Sequence, residues 1–240
     1  MVRVHRSIPT HNLQLLVFDL DGTLIDSSRD LCNSVNATLE HFGLRPLEEP
    51  VIASFIGDGV GMLIRRALLV PGELPESLRN DEEFFAQALE YFLTWYRAHK
   101  LDYTRTYDGV LESLAALASA AQPPVMTVLT NKPVGPARAI CDGLGLSRYF
   151  AAILGGDSFP TKKPDPEGLL ALMQQFGATP ESTLMIGDSE VDMLTARNAG
   201  VWSLGCSYGL SPEGMRSVGS DLEVDHASEW FPALMPALHR

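Results

Sequence analysis

The sequence predicts an α/β protein: a Rossmann-like parallel sheet core with an inserted α-helical cap domain. Three observations predict it. Short apolar runs alternate with amphipathic helical stretches after Lys100, the rhythm of a parallel sheet covered by helices on both faces. One more apolar run, Leu15–Asp19, stands far upstream of the others, and the residues between them look wholly helical. Chemically active residues gather where the apolar runs end.

Residues 1–12 are expected to be a poorly ordered lead-in. The first strand covers about Leu15–Asp19, an apolar run that Gly22 stops. A helix follows through Leu31, Val35, Leu39 and Phe42, ended by Gly43. Pro46 and Pro50 mark a break, Val51–Phe55 leads into Gly57-Asp58-Gly59, and Met62–Leu69 continues as a helix. Pro71 to Pro75 reads as a turn. A long helix then carries Phe84, Phe85, Ala88, Phe92 and Trp95 along one side, expected to be core. Asp108 is the expected N-cap of a helix through Leu111, Leu114 and Leu117. Strands are expected at Val125–Thr130, Ala151–Gly155, Thr183–Gly187, Val201–Cys206 and near Leu222–Val224, and helices near 136–143, 166–176, 190–199 and 227–238. The core domain is thus expected to span 1–26 and 103–240, and the helical insert 27–102.

Bulk properties narrow the partners. The formal net charge of −12 comes without any Lys/Arg cluster, so a nucleic-acid partner is not expected. An anionic substrate needs a local positive centre against that field. No apolar run reaches the roughly 20 residues that span a bilayer, and no signal-peptide core is visible, so no membrane partner and a cytoplasmic setting are expected. Cys32, Cys141 and Cys206 are far apart and read as small buried hydrophobes. A monomer or homodimer is expected.

Four segments carry chemistry: Asp19-Leu20-Asp21-Gly22-Thr23, Leu129-Thr130-Asn131-Lys132, Lys162-Lys163-Pro164-Asp165-Pro166, and Gly187-Asp188-Ser189-Glu190-Val191-Asp192. In a parallel sheet the loops after the strands open at one edge and can converge on one crevice. Two acids held at a strand end are costly to bury unless a cation or proton compensates, and a hard divalent ion such as Mg²⁺ suits oxygen ligands. Asp19 is the candidate nucleophile, able to form an aspartyl-phosphate. Mg²⁺ would bridge Asp19, a phosphate oxygen and Asp188, and Lys163 would add a second positive charge. The Thr130 hydroxyl and the amides around Thr130 and Asn131 would bind the phosphate. Asp21 is placed to protonate the leaving oxygen and then to activate water. Taken singly, Asp-Gly-Thr is a turn, Lys163 a solvated lysine and Asp192 a helix N-terminal acid; their joint occurrence in this order favours a site.

These residues resemble the four motifs of the haloacid dehalogenase superfamily, over about residues 13–235. Asp19, Asp21 and Thr23 match its first motif, Thr130 its second, Lys163 in Lys-Pro-x-Pro its third, and Gly187, Asp188 and Asp192 its fourth. The resemblance implies Asp19 as nucleophile and metal ligand, Asp21 as acid/base and as ligand through its carbonyl, and Asp188 as metal ligand. It implies Asp192 and Thr23 in support, and Gly22 with Thr130, Asn131 and Lys163 around the phosphate. An acid two residues after the nucleophile implies phosphoryl transfer rather than dehalogenation.

The insert is similar to that of phosphoglycolate phosphatases, on Ile56-Gly57-Asp58-Gly59 and Arg66-Ala67-Leu68, with Asp58 standing where that subfamily often has Asn. So are Thr130-Asn131-Lys132-Pro133, Gly155-Gly156-Asp157 and Ser207-Tyr208-Gly209. This implies a small-molecule phosphate ester, 2-phosphoglycolate, as substrate. Arg66 either pairs with its carboxylate or lies solvated on a helix face; Gly57 and Gly59 either admit substrate or join two helices. The alternatives are another small ester, a nucleotide or pyrophosphate; a β-phosphoglucomutase-like phosphosugar mutase; and a non-catalytic binding module.

Overall fold

The structure, a computed structural model, describes residues 1–70, 72 and 74–235. Its strands are β1 Arg3–Val4, β2 Leu15–Phe18, β3 Ile25–Asp26, β4 Arg105–Thr106, β5 Val125–Leu129, β6 Ala152–Leu154, β7 Thr183–Gly187, β8 Trp202–Cys206 and β9 Leu222–Val224. Seven form one sheet in the order β1-β9-β8-β7-β2-β5-β6, and β3 with β4 forms a separate two-stranded one. All pairs in the large sheet are parallel except β1 with β9.

The chain divides into two compact units, Met1–Asp26 with Thr106–Arg240, and Ser27–Arg105. The second is helical: α1 Ser28–His41, α2 Glu49–Ala53, α3 Val60–Leu69 and α4 Glu82–His99. The first carries α5 Val110–Ala118, α6 Val134–Gly143, α7 Glu167–Phe176, α8 Glu190–Ala199, α9 Pro212–Val218 and α10 Trp230–Leu234.

β2 is central, and all four of its residues are fully buried, which is why its sequence is continuously apolar rather than alternating. Phe18 is level with Val128 of β5 on one side and with Ile186 of β7 on the other. The three strands therefore end together, and the strand order reverses beside β2, where open α/β sheets place ligands. Beneath the edge, Leu15, Val17, Leu129, Leu169, Leu172, Met185 and Ala196 pack into one apolar cluster between sheet and helices.

Within the helical unit, the Asp81 carboxylate caps α4 by accepting from the amides of Glu83 at 2.9 Å and Phe84 at 3.1 Å. Buried Asp30 accepts from the Thr104 amide and hydroxyl, both at 2.8 Å, tying the start of α1 to the returning chain.

Several expectations need correction. Residues 1–12 are not a featureless lead-in: Arg3–Val4 pairs with β9, and the Arg3 guanidinium reaches Glu223 at 2.7 Å and Asp225 at 2.5 Å. The N-cap of α5 is Gly109 (φ 84°) rather than Asp108; a Cβ there would lie 2.8 Å from the Ser228 amide nitrogen. Pro50 sits in the first turn of α2 instead of breaking the chain, since that turn needs no amide hydrogen. The buried line of α4 is Ala88, Phe92 and Tyr96; Trp95 is exposed, in an outward ladder with Tyr91 and His99. The last predicted helix is a short 3-10 turn, Ala227–Glu229, followed by α10, and residues 236–238 lie outside the described residues, as do Pro71 and Glu73 of the predicted turn. Among the described residues no helix is long and apolar enough to cross a membrane.

Candidate active site

Asp19 follows β2 directly, and its amide donates to the Ile186 carbonyl of β7 at 2.9 Å, so the acid is held by the sheet ladder itself. The chain then turns: the Gly22 amide donates to Ile25 and the Thr23 amide to Leu20, at 2.9 and 3.3 Å. Asp188 follows β7. Its Oδ1 accepts from the Thr23 hydroxyl at 3.1 Å, and its Oδ2 from the amides of Leu210 at 2.7 Å and Ser211 at 3.3 Å.

Two glycines make room for that carboxylate. A Cβ on Gly22, where φ is 89°, would lie 2.2 Å from Asp188 Oδ2; one on Gly209 would lie 2.4 Å from it. That carboxylate is buried and held by the Thr23 hydroxyl and the amides of Leu210 and Ser211, so it is not free to swing aside. Gly22→Ala is therefore expected to cost about 2–4 kcal/mol through backbone strain and overpacking. Thermal unfolding and metal affinity check it: both fall together, and a variant with an unchanged melting temperature contradicts the close-packing account.

Lys163 is buried between two acids. Its Nζ donates to Asp19 Oδ1 at 2.7 Å and to Asp192 Oδ1 at 2.6 Å. The other oxygen of Asp192 accepts from the Ser189 hydroxyl at 2.6 Å and amide at 3.1 Å, a capping arrangement that starts α8. The lysine loop is pinned as well: Asn131 Nδ2 donates to the Lys163 carbonyl at 3.0 Å, and Asn198 Nδ2 to the Pro164 carbonyl at 2.9 Å. The Thr130 hydroxyl accepts from the Lys132 amide at 3.2 Å at the end of β5.

Burial dominates the electrostatics. Loss of water raises the Asp19 carboxyl to about 7, against the pull of Lys163 and helped by the charge of Asp192. Burial, then the charges of Asp192 and Asp19, hold Asp188 well above the ordinary carboxylate range. Burial opposes the Lys163 charge, yet Asp19 and Asp192 keep that ammonium above its usual value. Ligand oxygens of Asp19, Asp188 and Asp192 lie within 4.8 Å of one another. Three carboxylates facing one ammonium leave two negative charges, which a divalent cation matches. Asp192 already spends both oxygens on Lys163 and Ser189, so Asp19 and Asp188 fit a metal better than Asp192 does.

Asp21 lies apart from this trio. Both of its oxygens accept from Lys132 Nζ, at 3.1 and 2.9 Å. Gly57 (φ 123°), Gly59 (φ 87°) and Arg66 belong to the helical unit; Gly59 precedes α3, and Arg66 pairs with Asp58 at 2.5 Å, which offsets the charge of that acid.

The contacts of Lys132, Tyr208 and Gly209 were not legible as chemistry in the sequence. The Tyr208 hydroxyl donates to the Thr23 carbonyl at 2.9 Å, bracing the first turn. Lys132 and Asp21 are 111 residues apart, so no local spacing signals their pairing. Only the run Thr-Asn-Lys-Pro and the run Ser-Tyr-Gly stood out, with no role attached.

Fold and site together define a doubly wound α/β protein whose acids converge on a buried lysine at the topological switch point. The chain matches the model of the haloacid dehalogenase-like hydrolase family over residues 16–206, and it belongs to that family. It is 36% identical over 220 residues to the phosphoglycolate phosphatase of Chromobacterium violaceum, covering 92% of this chain and 96% of that one. It is 40% identical over 205 residues to the phosphoglycolate phosphatase of Rhodospirillum rubrum, covering 85% and 84%. A crystal structure described as a predicted phosphoglycolate phosphatase from Haemophilus somnus superposes with a TM-score of 0.83 at 31% identity, covering 91% of this chain and 96% of that one.

Proposed function

We propose that this chain is a phosphomonoesterase that works through a covalent aspartyl-phosphate on Asp19, with 2-phosphoglycolate as its substrate. The observation that carries the chemistry is the buried convergence of Asp19, Asp188, Asp192 and Lys163 at one sheet edge. Relatives named phosphoglycolate phosphatase, similar along most of their length, support the substrate.

Lys163 orients Asp19 through Oδ1 and brings positive charge to the phosphoryl group. A carboxylate oxygen of Asp19 forms a bond to phosphorus as the ester P–O bond breaks, and the Asp21 carboxyl gives its proton to the leaving oxygen. Asp21, now a carboxylate, takes a proton from water as that water attacks phosphorus, releasing phosphate and restoring Asp19. The Thr130 hydroxyl and the amides around Thr130 and Asn131 hydrogen-bond the phosphoryl oxygens, and Gly22 shapes the turn after Asp19 with its own amide held by Ile25. Asp19, Asp188 and the Asp21 carbonyl would hold Mg²⁺, which would supply further charge neutralisation when bound. In the helical unit, residues 27–102 on the sequence boundaries, Gly57, Gly59 and Arg66 are the candidate substrate contacts, and the chain enters and leaves that unit near Ser27 and Tyr103. Cys32, Cys141 and Cys206 are buried thiols, which supports a reducing, cytoplasmic setting.

Phosphate release measured over a panel of small esters tests this reading. The highest kcat/KM is expected for 2-phosphoglycolate, with activity lost in EDTA and restored by Mg²⁺. Activity that survives exhaustive chelation refutes the metal, and a clear preference for another ester refutes the substrate. Activation by a sugar bisphosphate with little net phosphate release identifies a mutase instead.

A further inference from the structure

Lys132 takes no part in the chemistry assigned to Asp19, Asp21, Thr130 and Lys163, yet it is a buried lysine at the site. Its backbone is fixed on several sides. Its amide donates to the Thr130 hydroxyl at 3.2 Å, and its carbonyl accepts from the Gly156 amide at 2.9 Å. A Cβ on Gly155 would lie 2.7 Å from that same carbonyl oxygen, so the loop is closely packed there. The ammonium is astride both oxygens of Asp21. A buried ion pair returns little net stability for the water that it gives up, so folding alone is a weak reason to place a lysine here.

We propose that Lys132 is the residue that selects substrates carrying a second anionic group, by taking up the carboxylate one carbon away from the ester oxygen. This rests on the phosphoglycolate reading and names the group that reads the carboxylate. The geometry follows from Asp21. To protonate the leaving oxygen, the Asp21 carboxyl comes within about 3 Å of it. Lys132 Nζ is 2.9 Å from Asp21 Oδ2. The leaving oxygen and the ammonium are thus no more than about 6 Å apart. In a 2-phospho acid a single carbon joins the ester oxygen to the carboxyl carbon, so the carboxylate falls within that span. An ammonium has three donors on a flexible stem and can share them between Asp21 and the substrate without leaving its buried place. Such sharing releases an oxygen of Asp21 toward the leaving group only when a carboxylate is there to accept. An ester of the same size without the carboxylate leaves Lys132 on Asp21.

The test compares 2-phosphoglycolate with ethyl phosphate, which is close in size and lacks the carboxylate. In Lys132→Met the ratio of kcat/KM between the two esters is expected to fall about ten- to a hundredfold, the effect of losing one charged hydrogen bond. Lys132→Arg is expected to hold the ratio within a few-fold. Removing a buried charge can unfold the chain, so Lys132→Gln is assayed beside it for inhibition by glycolate with ethyl phosphate as substrate; about tenfold weaker inhibition is expected. Equal losses on both esters, or unchanged glycolate inhibition, overturn the proposal and leave Lys132 as a residue that only orients Asp21. A wild-type enzyme without preference for 2-phosphoglycolate refutes the substrate reading instead, which separates the two failures.

Discussion

Asp19→Asn is expected to abolish turnover, by at least about a thousandfold, while the fold persists. The amide oxygen still accepts the Lys163 hydrogen bond, but an amide cannot form the covalent intermediate. Stability changes in a direction set by burial. The Asp19 carboxyl is raised to about 7 in the folded chain, above its ordinary value. Folding therefore favours the protonated acid. Its stabilising contribution is complete below about pH 4 and is lost as pH rises through 7. Metal-free wild type is expected to lose a few kcal/mol over that window, and the variant to lack that part of the slope. At pH 8 without metal, the variant is expected to be at least as stable as wild type. Chemical denaturation at pH 5 and pH 8 measures this. Near-normal turnover excludes the covalent route, and an undiminished pH slope places the titration on another acid.

Lys163→Met is expected to lower both stability and activity. Lys163 stands between Asp19 and Asp192 at 2.7 and 2.6 Å, in a cluster that also contains Asp188. Removing one partner from a buried ionic network strands the others, at roughly 3–5 kcal/mol. The deficit is expected to be greatest at pH 8 and to shrink toward pH 5, where Asp19 and Asp188, both already raised, take up protons. Turnover falls by about a thousandfold because the phosphoryl group loses a preorganised positive charge. Melting curves at the two pH values are the check: equal destabilisation at both shows that lost packing, not charge, sets the cost.

How much was legible beforehand differs between elements. The apolar run Leu15–Phe18 could be recognised because a strand buried on both faces tolerates nothing else. The four core loops could be placed at one edge because parallel strands share a direction. Asp19, Lys163, Asp188 and Asp192 lie together there. Other elements could not be read. Arg3–Val4 is too short to show a pattern, and its strand exists because β9 offers an open edge and Glu223 and Asp225 offer counter-charges. Asp108 looked like a cap because acids favour helix starts, but close approach of Ser228 gives the position to Gly109. On α4, spacing put Trp95 on the core side, but the structure buries Tyr96 and leaves Trp95 exposed.

By itself the sequence determined the alternation of strand and helix, the interruption by a helical block, and the identity of the acids and lysine that end up together. These follow from local physics: hydrophobic period, turn chemistry and the residue types that a charged reaction demands. Tertiary structure alone decided which carboxylate each ammonium serves. Lys163 divides itself between Asp19 and Asp192, Lys132 takes Asp21, and Gly22 and Gly209 leave the space that Asp188 fills. Such pairings act over a few ångströms between residues 29 apart for Lys163 with Asp192, 111 apart for Lys132 with Asp21 and 144 apart for Lys163 with Asp19, separations that no local spacing along the chain encodes.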